Sequence, residues 1–312
     1  MKTNFKLLLG LPLALFTPLV LSSYLAAAPA TETEAKDEVA TNAPEPVRPQ
    51  PTQRLVFKNT TDAAGQPVQL RLNIFNPTNH KAADKTPVFV FFFGGGWNTG
   101  NPQKLFQHCA YFASRGIVAI APDYRVKNRQ NTSPFDCVAD GKSAIRYVRA
   151  HASELGIDPN RIVAAGTSAG GHVAASAAII EGLDEKGEDT TISSVPNALV
   201  LYNPVIDTSP DGFGNRRLGN RWQEISPLQH VRPNLPPTIV FHGDADKTVP
   251  YANVTAFTEA MKKAGNRSEL VTFAGVGHGF VPRFETETAK EAIRGTDKFL
   301  ASLGYLQGEP TL

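Results

Sequence analysis

Charge of one sign is scarce in this chain. Its 312 residues carry 31 Lys and Arg against 29 Asp and Glu, a net charge of +2. Two of those positive charges, Lys2 and Lys6, lie in a segment expected to be removed. A near-neutral remainder argues against nucleic acid or an anionic membrane surface as partner. Cysteine is scarce too, with only Cys109 and Cys137. Their spacing matches no metal site. A disulfide and a pair of buried free thiols both remain open for them. Long apolar runs are absent beyond residue 21. The one such run, residues 7–21, is short for a membrane span and is interrupted by Pro12 and Pro18. Lys2 and Lys6 precede or border it, and Ala26-Ala27-Ala28-Pro29-Ala30 follows. That order is the pattern of a secretory signal, residues 1–30, cut after Ala30. No cysteine lies near the cut to carry a lipid. The expectation is an exported protein, periplasmic or secreted, with no stable membrane insertion after cleavage.

What is present is an ordinary globular composition, 41% hydrophobic and 19% charged, long enough for a sizeable core. Residues 31–52 are rich in Pro, Ala, Thr and Glu and read as a disordered leader. Strand patterns then follow at residues 54–58, 68–75, 87–93, 117–121, 161–165, 197–201, 238–241 and 269–273. The first two alternate and predict an antiparallel hairpin at one sheet edge. The run 87–93 is almost continuously apolar, as a strand buried on both faces would be. Helical patterns lie between them at 102–115, 134–155, 169–180, 252–264 and 286–303. This alternation predicts an α/β fold, a mostly parallel eight-stranded sheet with helices on both faces. One domain over residues 53–306 accounts for it, with residues 307–312 as a C-terminal tail. Residues 204–237 lack a clear period and read as loop and short helix beside the site, with no large lid.

The stretch Gly166-Thr167-Ser168-Ala169-Gly170 reads G-x-S-x-G and sits where a strand should turn into an Ala-rich helix. That context makes Ser168 a candidate nucleophile on a sharp elbow, with small neighbours because the turn is strained. A serine hydroxyl needs a base within reach and an acid to orient that base. On such a sheet the partners follow in the order serine, acid, histidine. His278, in Gly275-Val276-Gly277-His278-Gly279 after the last strand, fits the base. Asp246 fits the acid, with Asp244 and Asp207 as competitors. The glycines of Phe93-Gly94-Gly95-Gly96-Trp97 end a central strand. Gly95 and Gly96, with the amide of Ala169, are the expected oxyanion donors. Trp97, Tyr202 and Trp222 are candidates for lining the acyl or alcohol pocket, with core packing the alternative for each. His172 follows the serine on the next helix and is poorly placed to turn back to it.

Together these residues resemble the α/β-hydrolase fold, and within it the esterase/lipase branch related to hormone-sensitive lipase and to bacterial acetyl and feruloyl esterases. The resemblance rests on Gly94-Gly95-Gly96-Trp97, Asp123-Tyr124-Arg125, Gly156-Ile157-Asp158-Pro159-Asn160-Arg161-Ile162, Gly166-Thr167-Ser168-Ala169-Gly170-Gly171-His172, and the Asp246 and His278 loops, in family order. One departure stands out. Phe93 holds the place of the histidine that begins the His-Gly-Gly-Gly pattern, so packing must order the loop there. The branch's helical cap also has no counterpart in the chain. The resemblance implies a serine carboxylic-ester hydrolase that needs no metal or organic cofactor. An open site and an export signal point to acetyl or feruloyl esters, including polysaccharide esters, as substrate. A general carboxylesterase or lipase on small or lipid esters is the alternative, followed by a serine peptidase and a non-catalytic binding module.

Overall fold

The computed structural model describes residues 48–312. The expected signal segment and residues 31–47 of the expected leader lie outside them. Eight strands form one sheet: β1 Gln53–Thr61, β2 Pro67–Phe75, β3 Thr86–Phe92, β4 Val118–Pro122, β5 Ile157–Thr167, β6 Ala198–Tyr202, β7 Thr238–Gly243 and β8 Ser268–Phe273. Their spatial order is β1-β2-β4-β3-β5-β6-β7-β8. β1 and β2 pair antiparallel, as do β2 and β4, and the remaining pairs are parallel.

The burial of each strand explains its sequence. Every residue of β4, β6 and β7 is buried, so β4 and β6 read as unbroken apolar runs and β7 carries one between Thr238 and His242. β1 lies at the edge with most of its residues exposed or half-buried. On β3, successive side chains point to opposite faces. Phe91 meets His108 of α1 (Phe106–Ser114) edge-on, with ring centres 5.7 Å apart. Phe92 instead faces Gly141 of α3 (Pro134–Ala150), which packs with Val173 of α4 (Ala169–Ile179). Full burial of each such aromatic contributes about 1.5–3 kcal/mol. α6 (Tyr251–Lys263) covers β7 and β8, and α7 (Glu287–Ser302) packs on β7 beside α1. Two one-turn α-helices, α2 (Lys127–Gln130) and α5 (Asn215–Leu218), lie in connections, and a 3-10 turn, Pro102–Leu105, leads into α1. No helix of the described residues is long and apolar enough to cross a membrane.

Several expected bounds move. The helix expected over 134–155 ends at Ala150. The chain then turns through Gly156 at φ +65°, where a side chain would collide with the Lys81 carbonyl. β5 is longer than expected because residues 158–161 bulge between the Thr86↔Ile157 and Val88↔Ile162 pairings. Residues 204–237 hold α5 and two short 3-10 turns. The last residues lie against the domain, with the carbonyls of Gln307 and Gly308 accepting from Arg115. Cys109 and Cys137 are both buried free thiols, so the disulfide alternative falls.

A buried ion cluster ties the edge hairpin to the core. The β1 register slips between Val56 and Lys58. Such a bulge re-aims a side chain, and Lys58 is buried within an otherwise exposed strand end. Its ammonium lies 2.6 Å from Asp140 of α3 and 2.5 Å from Glu185. Arg125 donates to both oxygens of the same Asp140, at 2.9 and 2.8 Å.

Candidate active site

The nucleophile position follows from space before chemistry. Ser168 sits between β5 and α4 at φ 55°, ψ −121°, a conformation that costs a side-chain-bearing residue about 1–3 kcal/mol. The surroundings hold it there. The Ser168 amide donates to the Tyr202 carbonyl (3.0 Å), and its carbonyl accepts from His172 (3.1 Å) and Val205 (3.2 Å). A side chain on Gly166 would overlap the backbone of Gly170 and Gly171. One on Gly170 would overlap the carbonyls of Phe92 and Phe93. The elbow therefore requires glycine at both ends of the motif.

The loops after β7 and β8 bring two more groups to this point. His278 Nδ1 lies 2.6 Å from Asp246 Oδ2, and Ser168 Oγ lies 2.9 Å from His278 Nε2. A carboxylate only accepts, so Nδ1 carries the proton. Nε2 is then bare and accepts from the serine. Asp246 also accepts from the amides of Thr248 (2.8 Å) and Val249 (2.9 Å). Burial opposes its charge, but the hydrogen bond from His278 and those amides outweigh burial and hold its pKa below the usual carboxylate value. The competing aspartates go elsewhere. Asp244 accepts from the Gly275 amide (2.6 Å) and braces the His278 loop. Asp207 accepts from the Ser209 amide and hydroxyl, both at 2.8 Å, and fixes its own loop.

Opposite the serine lies the glycine loop. A side chain on Gly94 would crowd the Thr167 carbonyl at 2.9 Å and Ser168 Cβ at 3.2 Å, so the loop runs against the elbow itself. The Gly95 carbonyl accepts from the amides of Asn98 and Thr99, both at 3.0 Å. That polarises the peptide whose other end is the Gly96 N–H. Among the described residues the amides of Gly95 and Gly96 find no acceptor. Ala169 supplies the first amide of α4, which no helical carbonyl satisfies. Phe93 orders the loop by packing. Its ring stacks on Tyr124 at 4.1 Å, and the Tyr124 hydroxyl donates to the Phe93 carbonyl (2.6 Å).

The three aromatic candidates for pocket lining do not line the cleft. Trp97 adopts φ 57°, which turns its side chain inward. Its indole N–H donates to His172 Nδ1 (3.3 Å), while His172 Nε2 donates to the Ile225 carbonyl (2.6 Å). Burial lowers the His172 pKa to about 4, so the ring is neutral and can serve both partners. Tyr202 lies in the sheet, its hydroxyl 2.6 Å from that of Thr296. Trp222 joins a small separate cluster with Val138, Leu218 and Ile225.

The cleft that contains Ser168 and His278 measures about 300 Å³. Its apolar walls are Phe93, Leu105, Phe213 and Pro282, with Lys104 and Thr248 also lining it. These residues come from four separate loops with no shared period, so no sequence signal gathers them. Two further neighbours of the triad carried only a strand-end signal. Fully buried Asn203, just after β6, places Nδ2 3.4 Å from His278 Nε2, and its Oδ1 has no partner. His242, at the end of β7, donates from Nε2 to the Val249 carbonyl (3.0 Å) and lies 3.3 Å from Asp246 Oδ2.

Comparison with known proteins places this geometry. The BD-FAE family profile matches residues 72–210 and 213–261. The isoprenylcysteine alpha-carbonyl methylesterase ICME of Arabidopsis thaliana is 31% identical over 67% of this chain and 53% of its own length. Esterase LipC of Mycobacterium tuberculosis is 28% identical over 78% of this chain and 66% of its own. The chain thus spans about half to two thirds of these curated relatives. Among solved structures, the apo form of Thermogutta terrifontis esterase 2 superposes with a TM-score of 0.78 at 46% identity, covering 85% of this chain and 98% of that one. The same esterase phosphorylated by paraoxon gives 0.77 at 47% identity, covering 82% and 96%. By sequence and by fold, the chain belongs to the BD-FAE family, within the α/β-hydrolase serine esterases related to hormone-sensitive lipase.

Proposed function

We propose that this protein is a carboxylic ester hydrolase that works through an acyl-enzyme on Ser168. The observation that carries the reading is the unbroken chain Ser168 Oγ, His278, Asp246, facing the unpaired amides of Gly95 and Gly96. Ser168 Oγ attacks the ester carbonyl as its proton passes to His278 Nε2. The carbonyl oxygen takes the negative charge and rests on Gly95, Gly96 and Ala169. As the carbon–oxygen bond to the alcohol breaks, His278 gives the proton to the departing oxygen. Water then enters and gives a proton to His278 as its oxygen bonds to the acyl carbon; the bond to Ser168 Oγ breaks, His278 returns the proton to Oγ, and the acid leaves. Asp246 keeps His278 in the tautomer that accepts from serine and stabilises its cation.

The acyl group is short in this reading. The cleft is small and apolar, and Thermogutta terrifontis esterase 2 has been seen with propionate and with butyrate bound. That esterase is phosphorylated by paraoxon, which fits an activated nucleophile of the kind assigned to Ser168. The signal pattern of residues 1–30 and the open site support an exported enzyme acting on polysaccharide esters, acetyl ahead of the bulkier feruloyl. The names of the relatives favour a second reading, a general esterase for small esters.

The test is acetate release from acetylated xylan beside p-nitrophenyl acetate, with Ser168→Ala as control. Both activities should be present and lost in the variant. Turnover of the small ester alone would leave the second reading. No turnover of either, with no labelling by a fluorophosphonate, would overturn the assignment.

A further inference from the structure

A second hollow, of about 390 Å³, opens on the far side of the glycine loop. Trp97, Ser133, Lys127, Arg216 and Arg217 line it. It shares a wall with the catalytic cleft. Arg217 donates to the carbonyl of Gly96, and its guanidinium lies 5.8 Å from the ring centre of Phe213, which lines that cleft. The Lys127 amide donates to the Trp97 carbonyl (3.0 Å), so the one-turn helix α2 is fastened to the same loop.

The charge of this hollow is unbalanced. Lys127, Arg216 and Arg217 are all exposed at its rim, whereas several buried cations elsewhere are paired: Lys58 and Arg125 with Asp140, and Arg146 with Asp184. Among the described residues no carboxylate lies within ion-pair distance of Lys127, Arg216 or Arg217. The acids nearest Lys127 along the chain are already engaged, and exposed Asp211, nearest the two arginines, pairs with none of the three. Asp136 Oδ2 accepts from the amide and hydroxyl of Ser133, at 2.8 and 2.7 Å. Asp123 pairs with Arg129 at 2.9 Å. The hydroxyl of Thr132, which also lines the hollow, has no hydrogen-bond partner. Three like charges held together repel one another unless an anion joins them. Two guanidinium groups offer the planar forks that suit a carboxylate or sulfate.

We infer that this hollow is an anion-accepting subsite for the alcohol portion of the ester. The acyl group takes the small apolar cleft, so the part of the substrate that reaches past Gly96 and Trp97 belongs to the leaving alcohol. The substrate class is then an acylated polysaccharide whose sugars bear carboxylate or sulfate groups. This inference rests on the ester-hydrolase reading for its catalytic consequence, and on the charge cluster alone for binding.

The test compares kcat/KM for an acetylated galacturonate oligomer, the same oligomer with its carboxyl groups reduced to alcohols, and a sulfated neutral acetylated oligomer. Each exposed cation–anion contact contributes up to about fivefold, so the anionic oligomer should be favoured by about tenfold at low salt. That preference should shrink as salt is raised. Lys127→Gln with Arg216→Gln should remove it through KM. Preference for both anionic oligomers assigns an oxyanion site in general, and preference for the carboxylate alone assigns uronates. Equal kcat/KM for charged and reduced oligomers, or a preference untouched by the double variant, overturns the subsite. Calorimetry of the acidic oligomer on Ser168→Ala separates the two readings. Binding there that the double variant abolishes keeps the subsite even if no ester is turned over. Absence of binding beside normal p-nitrophenyl acetate turnover removes the subsite and leaves the esterase.

Discussion

Two buried aspartates serve opposite edges of this sheet and keep different company. Asp140 is fully buried and meets only permanent cations, Lys58 and Arg125, with donors on both oxygens. The cluster acts as a clasp between the hairpin and α3. Asp246 is nearly as buried, but its partner is an imidazole that reaches the cleft, with a side chain 20% exposed. One end of that hydrogen-bonded chain is fixed by the amides of Thr248 and Val249, and the other ends in a hydroxyl that can leave its proton behind. Both clusters satisfy a carboxylate. Only the second contains a group whose ordinary pKa lies near neutrality, and that is what separates a fastening from a proton relay.

The comparison can be broken at its ends. The largest expected effect is on the relay: Ser168→Ala or His278→Ala should lower kcat on p-nitrophenyl acetate by about 10⁴–10⁶-fold without changing the melting temperature by more than a few degrees. Asp246→Asn should lower kcat by about 10⁴-fold, because the amide favours the wrong imidazole tautomer. Asp207→Asn and Asp244→Asn should each stay far above that, and equal losses in all three would dissolve the assignment of the acid. The clasp should answer in the other currency of measurement. Asp140→Asn leaves two buried cations sharing only the half-buried Glu185 as counter-charge, so urea unfolding should show a loss approaching about 3 kcal/mol while kcat per folded molecule is kept.

Acid should expose a third group of residues that belongs to neither cluster. Burial lowers the pKa of His108 and of His172 to about 4, against about 6.5 in the unfolded chain. Between these values the unfolded state binds more protons at these two rings, so their share of the stability falls as pH drops from about 6.5 to about 4 and levels off below, where depressed carboxylates such as Asp246 begin to lose theirs. Each ring accounts for about 3 kcal/mol of that loss. Urea midpoints across this range should show it, and His108→Gln should flatten the slope by about half. The smallest effect should come from Asn203→Ala, a loss of about five- to tenfold in kcat with its pH profile displaced. An unmoved profile would make Asn203 a packing residue only.

Much of this arrangement is legible in the chain because it is set by local demands. The central strands show as unbroken apolar runs, the elbow as glycines around a serine, and the acid and base as polar residues in loops after late strands. Phe93 shows how far such reading goes: the missing histidine implies packing, but the stack on Tyr124 comes from a motif some thirty positions away. What stays hidden is assembled from distant loops. Leu105, Phe213 and Pro282 meet only in the folded cleft. Trp97 misleads in the other direction. An aromatic beside the glycines reads as a wall of the acyl cleft, yet its positive φ turns the ring inward to His172, and it borders the neighbouring cationic hollow instead. Asn203 lies at a strand end like several unimportant residues, and only its distance to His278 distinguishes it.

The elbow holds its occupant by crowding at Gly166 and Gly170 and by backbone hydrogen bonds on either side of Ser168. None of those restraints touches the serine hydroxyl. The posture is therefore a mounting that is indifferent to the tool it carries. A thiol at the same position would be held out at the same angle, toward the same imidazole and the same amides. Chemistry at this point of the fold can be exchanged one atom at a time, whereas the two glycines that flank it cannot be exchanged at all.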